Sequence, residues 1–137
     1  MKQLLGALAV ALVLCGCASD DLAAQTDPVQ VAFKRRAPMH SCGKTELPQG
    51  SASVMPAAMT NCLQTARARH ETAEARITQR TTEGDPIVTY LRVRADGTFE
   101  FYVDSTKDKF GLRQWQYSDS NCSATDPLLQ QICSPAG

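Results

Sequence analysis

The chain has no excess of charge of either sign: 14 Lys and Arg stand against 14 Asp and Glu. It therefore lacks the basic field that holds nucleic acid, and it lacks the acidic bulk that keeps a chain unfolded. It contains no internal repeat and no low-complexity tract, which excludes a solenoid or an array. Its longest apolar run, Leu4 to Leu14, is ~11 residues, well short of the ~20 that a helix needs to span a bilayer. At 137 residues the chain has room for one domain of roughly 100–120 residues, not for a dinucleotide-binding unit with its own substrate domain. Paired carboxylates at catalytic spacing, or a nucleophile beside its base, are not recognisable in it. The expectation is a protein that is not an enzyme.

The N-terminus is informative. Met1-Lys2-Gln3 supplies one positive charge, and the apolar run that follows has the length and flanks of a signal-peptide core. It ends Leu14-Cys15-Gly16-Cys17, which resembles a bacterial lipobox, with Cys15 unusual at the middle position. Residues 1–16 then read as a lipoprotein signal peptide, and Cys17 as the lipidated first mature residue. Two or more acyl chains on Cys17 anchor a protein stably, where one is marginal. The second mature residue is Ala18, not Asp. The resemblance implies the outer membrane in a Gram-negative cell and the outer face of the single membrane in a Gram-positive one.

Residues 17–36 show no sustained periodicity and read as a lipidated tether. Val29, Val31 and Phe33 alternate and suggest a short extended piece, and Lys34-Arg35-Arg36 reads as a solvated charge run. Residues 37–137 read as a small α+β domain. A helix is expected from an N-cap at Ser53, with Pro56 in its first turn, to about His70–Ala73, with Met55, Ala58, Met59, Cys62 and Ala66 on one stripe. Four strands follow, at about 76–82, 87–94, 98–104 and 112–118. The turn Ala95-Asp96-Gly97 can be tested for register. A two-residue loop would mix apolar and charged residues on both faces. A three-residue loop pairs Val93 with Phe99, Leu91 with Phe101 and Arg92 with Glu100, separating one apolar face from one polar face. The expected fold is one amphipathic helix packed on a four-stranded antiparallel meander. The expected core is Met55, Met59, Leu63, Leu91, Val93, Phe99, Phe101, Val103 and Trp115, thin enough to need staples.

Beyond Cys15 and Cys17, four cysteines remain: Cys42, Cys62, Cys122 and Cys133. Three pairings are possible, and short loops favour Cys42–Cys62 with Cys122–Cys133. In an exported domain these are expected as structural disulfides. The functional alternative is a small envelope hydrolase or redox protein built on His40, Cys42 and His70, whose spacing matches no zinc pattern.

The most distinctive segments are Glu83-Gly84-Asp85-Pro86-Ile87, the Asp96-Gly97 turn, and Asp104-Ser105-Thr106-Lys107-Asp108-Lys109-Phe110-Gly111. Together they resemble a family of small bacterial lipoproteins with no assigned activity, over about residues 78–111. The resemblance implies fold and localisation and adds no catalytic residue. Read from the residues, Gly84 and Asp85-Pro86 make a turn into a strand, Asp104 and Asp108 cap turns, and Phe110 tucks under its loop. In a meander the two loops share one end of the sheet, so Glu83, Asp85, Asp104, Lys107, Asp108 and Lys109 form a candidate binding cluster. Such a cluster suits an envelope protein or glycan partner, or alternatively a hard cation such as Ca²⁺. No other cofactor is expected. Arg67, Arg69, Arg76, Arg80, Arg92 and Arg94, interrupted by acids, read as a solvated surface rather than a nucleic-acid face.

Overall fold

The computed structural model describes residues 27–49 and 54–134. The leader Met1–Gly16, the lipidation site Cys17 and the expected cap Ser53 lie outside the described residues. The elements are α1 (Pro28–Arg35), β1 (His40–Glu46), α2 (Ala57–Ala68), β2 (Ala73–Arg80), β3 (Pro86–Val93), β4 (Phe99–Asp104), β5 (Trp115–Ser120) and α3 (Pro127–Cys133). The fold is α+β, with one sheet in the order β1-β2-β3-β4-β5. Strands β2 to β5 form the expected antiparallel meander. The expected fold differs from this in two ways: a fifth strand, β1, pairs parallel to β2, and there are three helices among the described residues rather than one.

The β3–β4 hairpin has the three-residue register: Val93 faces Phe99, Leu91 faces Phe101 and Arg92 faces Glu100. Gly97 has φ 81°, and the Asp96 carboxylate accepts hydrogen bonds from the Thr98 N–H and hydroxyl. Period-two alternation decides the register because a one-residue slip would turn every apolar side chain outward. The inner face packs Ala73, Ala75, Ile77, Leu91, Val93, Phe99 and Phe101 against Met55, Met59, Leu63 and Ala66 around α2, and against Leu128, Leu129 and Ile132 of α3. Two disulfides fasten this layer, Cys42–Cys62 between β1 and α2 and Cys122–Cys133 across α3, with Cα separations of 5.6 and 5.5 Å. Each closes a short loop and contributes about 3 kcal/mol through the unfolded chain.

Helix α2 ends earlier than its pattern suggests. The Glu71 N–H reaches Ala66 O and the His70 N–H reaches Arg67 O, with His70 at φ 56°. This is the left-handed termination that glycine ordinarily supplies, here made by a histidine.

The largest correction concerns the expected tether. Residues 28–35 form a helix, not an extended piece, and that helix packs on the outer sheet face. Asp27 caps it, accepting hydrogen bonds from the Val29 and Gln30 N–H groups, with Pro28 at its start. The same Asp-Pro arrangement starts α3 at Asp126-Pro127. Phe33 is buried, with its ring centroid 4.3 Å from Tyr90, 5.3 Å from Tyr102 and 4.7 Å from Trp115. Trp115 therefore belongs to a second cluster on the outer face, not to the main core, and Val103 is only half-buried.

The end of α1 is tied to a buried charge. Arg92, only 4% exposed, donates to Glu100 Oε2 at 2.8 Å and to Ala37 O at 2.8 Å. Its Nε lies 3.1 Å from Glu74 Oε2 without hydrogen-bond alignment. Arg36 binds both Glu74 oxygens at 2.9 Å and stacks over the Phe33 ring at 3.4 Å. Arg92 is thus part of the interior, contrary to the solvated surface expected of the arginines.

Two outcomes follow from this outer layer. Asp27→Ala is expected to lower stability by about 1–2 kcal/mol, the range for a lost N-cap, and to red-shift the emission of Trp115, the one tryptophan; thermal melts followed by fluorescence check both. Glu74→Ala leaves Arg92 under-compensated and is expected to cost about 3 kcal/mol in denaturant unfolding, more than removal of the exposed partner in Arg80–Glu46.

Candidate functional site

The two segments singled out in the sequence meet at one end of the sheet, between β2 and β3 and between β4 and β5. Residues 81–85 form a tight turn. The Gly84 N–H donates to Thr81 O, the Thr81 N–H to Asp85 O, and the Asp85 N–H to the Thr81 hydroxyl. Gly84 holds φ 89°, a conformation side chains resist. Asp85 is 6% exposed and reaches across to the second loop. It accepts the Lys109 backbone N–H at 3.0 Å and the Lys109 ammonium at 3.0 Å.

The β4–β5 loop is closed on itself. The Ser105 N–H donates to Gln114 O, and the Ser105 hydroxyl lies within reach of Leu112 O and Gln114 O. Asp104 accepts from the Thr106 N–H and hydroxyl. Asp108 accepts from the N–H groups of Phe110 and Gly111 at 3.0 and 2.9 Å. A Cβ at Gly111 would overlap the Asp108 carboxylate, which explains glycine there. Arg113 Nε donates to Thr106 O.

The structure thus brings Asp85 and Lys109 together and assigns Asp104 and Asp108 to their own turns. Glu83 is exposed beside the first turn, and Lys107 is exposed on the second. Among the described residues no three His, Cys, Asp or Glu side chains gather so that they could hold a metal ion. Phe110 does not tuck under the loop as expected. It is 77% exposed, and Leu112 is 71% exposed. Asp108 and Asp85 hold the neighbouring backbone, and that turns the Phe110 side chain outward.

Beside these loops lies a shallow groove of about 520 Å³ on the outer face, over the part of the sheet that α1 leaves open. Tyr90 and Val88 line it, and Lys44, Arg76, Arg80 and Lys107 supply its cations. Arg80 is paired with Glu46 and donates to Gly84 O. Lys44, Arg76 and Lys107 are exposed and make no ion pair with any described residue. Arg76 leans over Tyr90 with its guanidinium carbon 6.0 Å from the ring centroid. Sequence reading missed this groove, because Lys44 comes from the strand it did not foresee. The parallel pairing of Lys44 with Arg76 is what brings the two cations side by side.

The residues of the hydrolase alternative separate chemically. Cys42 is oxidised with Cys62 and supplies no thiolate. His40 is exposed at the start of β1, and His70 Nδ1 lies 3.2 Å from Ala95 O.

Lys109 holds the Asp85 carboxyl below the ordinary carboxylate range, first through its backbone N–H and then through its ammonium, against the effect of burial. A depressed folded value stabilises the protein above the ordinary carboxylate range, and that stabilisation fades as pH falls through the depressed value. The melting temperature of the wild type is therefore expected to exceed that of Asp85→Asn at neutral pH and to converge on it in acid. A constant gap down to the lowest pH would exclude Asp85 as the loop clamp. No protein-family model, no curated protein and no solved structure matches this chain.

Proposed function

We propose that this chain is a lipid-anchored envelope protein that works as a non-enzymatic interaction module, with the outer-face groove as its partner-binding surface. The lipobox at Leu14-Cys15-Gly16-Cys17 supports the anchor, and the two disulfides suit an oxidising compartment. No helix among the described residues is long and apolar enough to cross a membrane.

The observation that carries the binding role is the set of exposed cations on the outer sheet face that form no ion pair among the described residues. Lys44, Arg76 and Lys107 project from paired strands and a closed loop, so their backbone positions are set before a partner arrives. A guanidinium fork matches a carboxylate in a bidentate manner. The partner class is accordingly an acidic segment of an envelope protein. A charged rim of this kind acts mainly on encounter rate and selectivity, and its contribution weakens with salt.

The test is crosslinking of the lipidated full chain in its native envelope, with Lys44→Glu/Arg76→Glu as the comparison. One dominant acidic partner, recovered from the wild type and reduced about tenfold in the variant, is the expected result. Equal recovery from both would remove the groove from the binding surface. Displacement by an acidic polysaccharide alone, with no protein recovered, would reassign the groove to glycan.

A further inference from the structure

Phe110 and Leu112 lie two residues apart on one loop, each more than two-thirds exposed. Their exposure is built into the loop rather than left by a frayed segment. Asp108 holds the Phe110 and Gly111 N–H groups, Asp85 holds the Lys109 N–H, and Ser105 closes the base on Leu112 and Gln114. Neighbouring exposed apolar side chains carried on a held backbone suit a contact surface. Lys107, Lys109 and Arg113 flank the pair. With Lys109 bound to Asp85, the exposed Lys107 and Arg113 are the nearby cations in the chain, and an apolar tip beside such side chains suits the boundary between headgroups and acyl chains, where apolar atoms are buried and charges reach the phosphates.

The position of Asp27 relates the tip to the N-terminal segment. The Asp27 carboxylate that caps α1 also accepts the Trp115 N–H at 2.9 Å, one residue beyond the loop's closing Gln114. Asp27, the first described residue, therefore sits at the base of this loop. Ten residue steps separate Asp27 from Cys17, a reach of at most roughly 35 Å. An anchor at Cys17 thus leaves the Phe110 loop within reach of the bilayer.

We propose that the Phe110–Leu112 tip is a second membrane contact, which enters the interfacial layer of the same phospholipid surface that holds the acyl chains of Cys17. This rests on the lipidation of Cys17 in the reading above. The tip orients the domain, so that the groove on the outer sheet face is held at a set angle to the membrane rather than tumbling on its tether.

The experiment uses the full chain reconstituted into vesicles of phosphatidylethanolamine and phosphatidylglycerol. Tryptophan is placed at the tip as Phe110→Trp and, as a control on the neighbouring turn, as Glu83→Trp. Nitroxide groups at a shallow acyl position report depth, and the mass of the mature N-terminal peptide reports acylation. The expected result is about twofold quenching of the Phe110→Trp emission with little effect on Glu83→Trp or the wild type. Acylated protein whose Phe110→Trp emission is not quenched overturns the tip contact and leaves the anchor standing. Quenching without acylation removes the anchor and keeps the tip. A blue shift that depends on protein concentration without lipid assigns the tip to a second copy and overturns the proposal.

Discussion

A guanidinium withdrawn from water in a domain this small sets the terms for everything around it. Arg92 sits in the middle strand of the sheet, and an isolated charge there costs several kcal/mol. It is tolerated because two carboxylates from the adjoining strands, Glu74 on β2 and Glu100 on β4, stand opposite it in register. One Nη donor goes to Ala37 O, and Arg36 binds the Glu74 carboxylate from its other side. A slip of either neighbouring strand by one residue would leave the charge without a partner. The same network fixes where α1 ends, and so where its Phe33 meets the aromatic side chains of the outer face.

The other end of α1 is fixed by one carboxylate doing two jobs. Asp27 satisfies the first N–H groups of the helix and the first N–H of the edge strand β5. Pinned at both ends, α1 converts a two-layer domain into three layers across part of the sheet. It also leaves the remainder of the outer face bare, and that bare part is the groove. Placement of a short helix thereby decides which part of the outer face, and which of its cations, stay uncovered.

The loop carboxylates show how a cluster on paper becomes an architecture in space. Asp104 and Asp108 turn back on their own backbones, and Asp85 is committed to Lys109. What these bonds accomplish is rigidity, and their product is an apolar tip that a flexible loop would fold away. The chemistry sought among the acids lies instead in what the acids hold outward.

The meander, its three-residue hairpin register, the cysteine pairs and most of the α2 stripe were legible in the sequence, because each depends on local periodicity or on short loop closure; within the stripe Ala58 is exposed and Leu63 is buried instead. Helix α1 was missed although Asp27-Pro28 is a strong start signal, and Val29 and Phe33 stand one helical turn apart. Alternating Val29, Val31 and Phe33 also fit a strand, and only burial of Phe33 against Tyr90, Tyr102 and Trp115 separates the two. Strand β1 was missed because Gly43 and the irregular pairing between Ser41 and Lys44 interrupt its alternation. The sequence alone thus determined the strand faces and the staples, both properties of neighbours along the chain. The burial of Arg92, the groove cations and the outward aim of Phe110 were decided only by tertiary structure. Each depends on side chains brought together from distant segments, where the cost of an unpaired buried group outweighs local preference.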